Sequence, residues 1–216
     1  MEWKDRINMP AQQPPNEAFT KLASDEAVQR TAQALKDNGI ETFVVESEEE
    51  AKRQVFELLP EGAEVFTGTS QTLEALDIPE AVDEKYDSVR VKLSKMDPKT
   101  QQREMIKMGA VPEYMVGSVH AVTEGGIVVV ASNTGSQLAG YAASAAHVIW
   151  VVGTQKIVSD IDEAIKRIYE YTYPLEDIRA QDAYGIHSNV SKLLIVNKEV
   201  NPDRTKVVLV KEKLGY

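Results

Sequence analysis

Hydrophobic positions along the chain switch repeatedly between the 3.6-residue period of a helix and the alternation or short unbroken runs of a strand. Over residues 24–38, Ala27, Val28, Thr31, Ala34 and Leu35 fall on one face. Ser24 stands at the N-cap, Asp25 and Glu26 in the first turn and Gly39 at the stop, so the spacing predicts an amphipathic helix. Thr42-Phe43-Val44-Val45 reads as a strand, and Ser47 with Glu50 forms a capping box that opens a second helix ending at Pro60. Ala63-Glu64-Val65-Phe66 repeats the logic with a strand, a loop over residues 67–70 and a helix start over residues 71–76.

Further on, Asp97-Pro98 puts proline at the first position of a helix expected to stop at Gly109. Its face is poorly apolar, so it is expected over a surface or an interface, and a homo-oligomer is one reading. A strand is expected over residues 118–122. Residues 127–131 and 148–152 are unbroken β-branched runs, the pattern of central strands buried on both sides. Between them, residues 137–146 read as an Ala- and Gly-rich helix able to sit close to a sheet. Ser159 is expected to cap a helix with Ile161, Ala164, Ile165, Ile168 and Tyr169 on one face. Residues 193–196 and 207–210 read as strands joined by a turn through Asn201-Pro202-Asp203.

Strands alternating with helices predict an α/β fold, a three-layer α/β/α arrangement around a mostly parallel sheet. An N-terminal helical arm and a C-terminal β extension complete it. Residues 1–15, polar and containing Pro10, Pro14 and Pro15, read as an N-terminal arm, and residues 16–216 as a single α/β domain.

Composition narrows the function classes. With 216 residues, 43% of them hydrophobic, the chain can bury one sizeable core. Thirty-four acidic against 24 basic side chains give a net charge of −10, which opposes a polyanion, so nucleic acid is not an expected partner. The chain has no cysteine, which rules out disulfides, a thiol nucleophile and a cysteine-ligated cluster on this polypeptide. The start, Met1-Glu2-Trp3-Lys4-Asp5, lacks the basic and apolar regions of a signal peptide, and no apolar run reaches the roughly 20 residues that span a bilayer. A cytoplasmic protein with its mature N-terminus and no membrane partner is expected.

Two loops echo one another: Thr67-Gly68-Thr69-Ser70-Gln71 and Asn133-Thr134-Gly135-Ser136-Gln137. Both follow a strand and precede a helix, where free backbone N–H groups and the helix dipole favour an anion such as phosphate, carboxylate or a pantetheine-type ligand. Equally, Ser70 and Ser136 can simply cap their helices. Neither loop is a Walker A or dinucleotide fingerprint. Glu124, in Thr123-Glu124-Gly125-Gly126, is either a solvated turn residue or a carboxylate available as nucleophile, base or orienting group. Lys156, after a central strand, is either an exposed loop lysine or the counter-charge of an anionic substrate. His120, His147 and His187 lack the spacing of a metal pair and read as structural, with His120 and His187 the two placed to reach a site. No metal site is indicated, the residues identify no particular cofactor, and serine hydrolysis has no motif behind it.

Val122-Thr123-Glu124-Gly125-Gly126-Ile127-Val128-Val129, Asn133-Thr134-Gly135 and Val151-Val152-Gly153-Thr154-Gln155-Lys156-Ile157-Val158 together resemble the LUD-domain family of lactate-utilisation proteins. The Thr67-Gly68-Thr69-Ser70 loop and the segments 189–199 and 207–216 add to the likeness, which covers most of the chain after residue 16. The resemblance implies the fold of CoA transferases, ribose-5-phosphate isomerase and glucosamine-6-phosphate deaminase. It also implies service in the oxidation of L-lactate to pyruvate, beside iron–sulfur protein partners. CoA transferases use a glutamate near a Glu-x-Gly turn as acyl acceptor, and Glu124 is the matching position. Some relatives carry a cysteine cluster where this chain has Arg179, Gln181, Tyr184 and His187, so electron transfer by this polypeptide is not expected.

The resulting expectation is a small anionic metabolite held by Gly68, Thr69, Ser70, Asn133, Thr134, Gly135 and Ser136. Lys156 would balance its charge and Glu124 would face the reacting carbon. The role expected is a non-redox accessory or subunit of lactate utilisation. The alternatives are a stand-alone acyl-CoA transferase or sugar-phosphate isomerase using Glu124, and a non-catalytic interaction module.

Overall fold

A computed structural model describes residues 13–216, so most of the arm read over residues 1–15 lies outside the described residues. The first α-helix, α1 (Asp25–Asp37), is capped by Ser24, whose Oγ accepts from the Ala27 N–H, and it buries Ala27, Val28, Thr31, Ala32 and Leu35. Strand β1 (Glu41–Val45) and helix α2 (Glu48–Glu57) follow, with Ser47 accepting from the Glu50 N–H. Next come β2 (Glu64–Thr67) and a five-residue helix, α3 (Gln71–Ala75). Helix α4 (Ile78–Lys85), the two-residue β3 (Asp87–Ser88) and α5 (Val89–Ser94) fill a stretch whose pattern signalled no element.

Helix α6 (Gln102–Ala110) starts later than Pro98 predicts. The Asp97 carboxylate accepts from the Lys99 N–H at 2.9 Å and from the Thr100 hydroxyl at 2.9 Å, closing a local turn that competes with helix. None of its residues is buried, in keeping with the poorly apolar face. Strand β4 (Tyr114–Gly117) precedes the expected strand over 118–122, of which only β5 (Ala121–Thr123) forms. Ser118 to His120 instead cross from one sheet to another, with Ser118 Oγ donating to the Val151 carbonyl at 2.7 Å.

Strands β6 (Val128–Ser132) and β7 (His147–Gly153) are buried along nearly their whole length. Between them the expected helix is reduced to a short π-helical turn over Gly140–Ser144. Its small residues do permit close approach, since a Cβ on Gly140 would stand 2.3 Å from Met115 Sδ. After β8 (Ile157–Val158), α7 (Ile161–Arg167) is capped by Asp160 rather than Ser159. The Asp160 carboxylate accepts from the Glu163 N–H at 2.9 Å, while the Ser159 hydroxyl donates to that carboxylate. A π-helical turn (Ile168–Thr172) leads into α8 (Tyr173–Tyr184). Pro174, at its start, has no N–H to offer the Glu170 carbonyl, and the Asn16 N–H takes that carbonyl at 2.8 Å. Strands β9 (Lys192–Val196) and β10 (Thr205–Val210) close the chain.

The strands form two sheets. The main one has the order β1-β10-β7-β4-β2-β3 and every pairing in it is parallel. The smaller one has the order β8-β5-β6-β9 and is mostly antiparallel. Two sequence expectations change here. Residues 127–131 belong to the small sheet, and β9 and β10 are not a hairpin. The C-terminal β segment divides, with β9 pairing β6 and β10 inserting between β1 and β7. Runs buried on both faces look alike in sequence whichever sheet they enter.

Alternation distributes the core. Val148, Trp150, Val152, Val207 and Leu209 point to the face covered by α1 and the small sheet. Ile149, Val151, Val208 and Val210 meet the helical layer of α2, α3 and α4. On the far face of the small sheet, Ala121, Val129 and Ala131 pack against Ala164, Ile165 and Ile168. The helical arm expected at the N-terminus is thus part of the fold: α1 packs in the same apolar cluster as β7. No helix among the described residues is long and apolar enough to cross a membrane.

Candidate functional site

The chain leaving the carboxyl ends of β2, β4 and β7 borders one cavity of about 480 Å³. This is the edge at which parallel α/β sheets present backbone and side chains to ligands. The loop after β2, the crossing at Ser118 to His120, the loop after β6, Lys156 and the face of α8 all contribute to its wall.

Lys156 sits at the end of the β7 edge with 1% of its surface exposed. Its Nζ donates to Thr72 Oγ1 at 2.9 Å and to Ser118 Oγ at 3.1 Å. Both hydroxyls give their own protons to backbone carbonyls, Thr72 to Leu214 and Ser118 to Val151, so each offers the lysine only a lone pair. Two of the positions on Nζ are therefore filled, and the third is free for a ligand. Among the described residues, no carboxylate lies within ion-pairing distance of it. Burial, reinforced by the Arg167 charge, pushes its pKa well below the ordinary lysine value.

His120 lines the same cavity, and its Nδ1 accepts from the Ala131 N–H at 3.0 Å. A backbone amide can only donate, so the neutral ring carries its proton on Nε2. Burial, with the charges of Lys156 and Arg167 adding to it, lowers the imidazolium pKa to about 3, and the ring is neutral at pH 7. Arg167 is fully buried behind this wall. Its Nη1 donates to the His120 carbonyl and to Thr172 Oγ1, its guanidinium lies 5.2 Å from the Tyr171 ring centre, and Nε and Nη2 have no hydrogen-bond partner among the described residues. Burial brings its pKa down to about 10, so it stays charged. Thr67, buried on the cavity wall, also has an Oγ1 without a partner.

The rim is better satisfied. Arg179 forks onto Glu176 at 2.7 and 2.8 Å, and the Tyr216 hydroxyl donates to the same carboxylate at 2.7 Å. Burial alone would raise the Glu176 pKa, but these donors hold it below the usual value. Tyr141 closes another side. A Cβ on Gly117 would stand 1.6 Å from its hydroxyl, so only glycine fits at the end of β4.

Of the residues singled out in the sequence, Gly68, Thr69, Ser70, Asn133, Thr134, Ser136 and Lys156 line this cavity. Gly135 does not. Its N–H donates to Ser132 Oγ at 2.8 Å, its φ is +87°, and a Cβ there would meet Lys192 at 2.8 Å. The two echoing loops also differ. Ser70 caps α3, a helix too short to carry much dipole, whereas Ser136 caps no helix and shares hydrogen bonds with Thr134 and Gln137. Lys156 is no exposed loop lysine.

Glu124 lies elsewhere. The β5–β6 turn holds it at the opposite end of the hairpin from His120, roughly 13 Å along the strand at about 3.3 Å per residue. There it pairs with Arg30 at 2.7 Å, partly exposed. Of the two glycines after it, Gly126 serves packing. Gly126 has φ +77° and a Cβ would stand 2.6 Å from the Ala34 backbone, while the Asn38 side chain donates to the carbonyls of Gly125 and Gly126. His187 is on the cavity rim beside Asp177, at 3.0 Å, and His147 stacks on Tyr114 at the other edge of the sheet. Thr72, Ser118, Tyr141 and Tyr216 escaped sequence reasoning, since each acts through a partner distant in the chain. Among the described residues no His, Asp and Glu cluster could hold a metal ion.

The chain is similar in structure to the crystal structure of a DUF162 family protein from Deinococcus radiodurans, with a TM-score of 0.56 and 12% identity over 88% of this chain and 99% of that one. At that identity the likeness speaks for the fold alone. No curated protein matches the chain. The model of the LUD domain matches residues 28–210, which span both sheets and nearly all of the cavity wall. The chain belongs to the LUD-domain family, which is associated with lactate utilisation.

Proposed function

We propose that the cavity binds a small anionic metabolite and that the protein serves L-lactate utilisation as a non-redox accessory or subunit. The observation that carries this reading is Lys156, a buried cation on the cavity wall with no ion pair among the described residues, in a chain of net charge −10. A buried charge left without a carboxylate is costly to a fold unless a ligand supplies the missing charge. Thr67 Oγ1, buried and unpartnered on the same wall, is a second group left for a ligand to satisfy. Gly68, Thr69, Ser70, Asn133, Thr134 and Ser136 would surround the anionic group, with Lys156 as its counter-charge.

At about 480 Å³ the cavity is larger than a three-carbon acid, which would fill only part of it. A larger acid, or a small one bound at the Lys156 end, fits better. The transferase alternative draws no support from the position of Glu124. The test is thermal unfolding with lactate, pyruvate, CoA and sugar phosphates in turn. A bound ligand at about 100 times its Kd adds about 2.7 kcal/mol, a readable rise in Tm. The expected result is a rise with at least one acid that vanishes in Lys156→Met. No rise with any compound, at millimolar concentration, would overturn the reading and leave a non-catalytic interaction module.

A further inference from the structure

We propose that Lys156 captures the carbonyl carbon of a 2-oxo acid through its Nζ, forming an imine in the cavity. The inference rests on the proposed anion-binding reading of the same site and goes beyond it, since the ammonium that balances an acid becomes, on losing one proton to solvent, an amine able to attack a carbonyl carbon.

Three features of the geometry carry it. The Thr72 and Ser118 hydroxyls, their protons committed to the Leu214 and Val151 carbonyls, can each take one N–H from the amine and give nothing back. A neutral amine held in this way has both N–H groups occupied and its lone pair in the remaining position. The ammonium has a third N–H with no partner among the described residues, and loss of that proton leaves the lone pair in its place. Finally, Thr67 Oγ1 and the flanking loops offer hydroxyl and backbone groups to the acid end of the same molecule. The lowered pKa agrees with this arrangement. An ordinary lysine, with a pKa of about 10.4, is neutral in only about one molecule in 2,500 at pH 7.

The step balances without a co-reactant. The Nζ lone pair forms a C–N bond to the carbonyl carbon as the C–O π electrons move to oxygen, and one amine proton passes to that oxygen to give the carbinolamine. The second amine proton follows, the C–O single bond breaks, and the oxygen leaves as water. Amine and oxo acid thus become imine and water, with no change of oxidation state.

The experiment is reduction of the full chain with borohydride at pH 7 in the presence of pyruvate or 2-oxoglutarate, followed by peptide mass spectrometry. The expected result is one adduct, at Lys156, that falls to the level of the carbonyl-free control in Lys156→Arg, which keeps the cation. In the wild-type chain, lactate, which has a hydroxyl where pyruvate has its ketone, should protect Lys156 without forming an adduct. That arm holds even if the arginine variant fails to fold. A thermal rise with the oxo acids and no adduct would overturn this inference alone. Absence of both would overturn the binding reading as well. Adducts spread over the exposed lysines, with Lys156 not enriched, would also overturn it.

Discussion

Two buried basic side chains sit near opposite edges of the main sheet, and they are held in opposite ways. Arg204, just before β10, is 7% exposed and meets the Glu199 carboxylate at 2.7 Å. Its remaining donors go to the carbonyls of Gly140, Tyr141 and Ala145. Glu199 is also satisfied, by the Thr205 hydroxyl and the Asn201 N–H. Lys156, at the carboxyl edge, has two hydroxyls and no carboxylate. The same fold thus shows what a structural buried cation requires, and withholds it where the cavity opens. Burial of a charge therefore does not distinguish structure from function, whereas completeness of its partners does.

The strongest way to break this contrast is to truncate Arg204. Arg204→Met strips Glu199 of its cation and takes the guanidinium donors from the Tyr141 and Ala145 carbonyls, while the Gly140 carbonyl keeps the Ala145 N–H. Removing one member of a buried pair typically costs 3–5 kcal/mol, about that much being expected here by urea denaturation. Adding Glu199→Gln should return part of the loss, because it removes the stranded charge. A loss under about 1 kcal/mol would mean that Arg204 is not the satisfied structural cation described, and the contrast would fall.

His120 tests the electropositive edge through pH. Its folded pKa, about 3, lies below the unfolded value of about 6.5, with Lys156 and Arg167 the charged groups acting on it. Between these values the unfolded chain binds the proton and the folded chain does not. Stability contributed by the neutral ring is therefore complete above pH 6.5 and declines as pH falls towards 3. From pH 6.5 to 5 the decline from this residue amounts to about 1.5 kcal/mol. His120→Asn keeps an acceptor for the Ala131 N–H and removes the titration, so the difference between variant and wild type should shrink by that amount over this window. An unchanged difference would mean that the ring protonates freely and the edge is not electropositive.

How far the sequence foretells this arrangement depends on distance along the chain. Helix α1 was legible because its cap, its acids and its apolar face lie within fifteen residues. The β7 strand was legible because burial on both faces leaves an unbroken apolar run. Which sheet β6, β9 and β10 would enter was not, since that is decided by pairing with strands far away. Position marked Lys156 as a candidate, but its burial was hidden, because Thr72 and Ser118 lie 84 and 38 residues from it. Asp97-Pro98 misled for a local reason, a side-chain turn that competes with the helix start. The Glu124-Gly125-Gly126 sequence reads the same whether its glycines favour a substrate or the packing of α1, and the Ala34 backbone beside Gly126 accounts for the glycine there.

Lys156→Met sharpens the comparison from the other side. Methionine fills the space of the stem, and the Thr72 and Ser118 hydroxyls keep their carbonyl partners. With a desolvated cation gone and no carboxylate stranded, stability should hold or rise by about 1 kcal/mol while the ligand-induced shift disappears. A loss comparable to that of Arg204→Met would place the two cations in one class.

The smallest effect belongs to Glu124. Its carboxylate pairs with an Arg30 side chain that is 59% exposed, a surface contact worth at most about 1 kcal/mol. Glu124→Gln retains the side-chain volume and a hydrogen-bond acceptor for Arg30, so unfolding should move by about 0.5 kcal/mol or less. More tellingly, acids that stabilise the wild-type chain should stabilise this variant equally, and a borohydride adduct at Lys156 should form to the same extent. Both follow from the hairpin, which sets Glu124 at one end and the His120 wall of the cavity at the other. If Glu124→Gln abolished the ligand response while leaving unfolding unchanged, the working end of the hairpin would be its turn, and the unpaired Lys156 of the cavity would need another explanation.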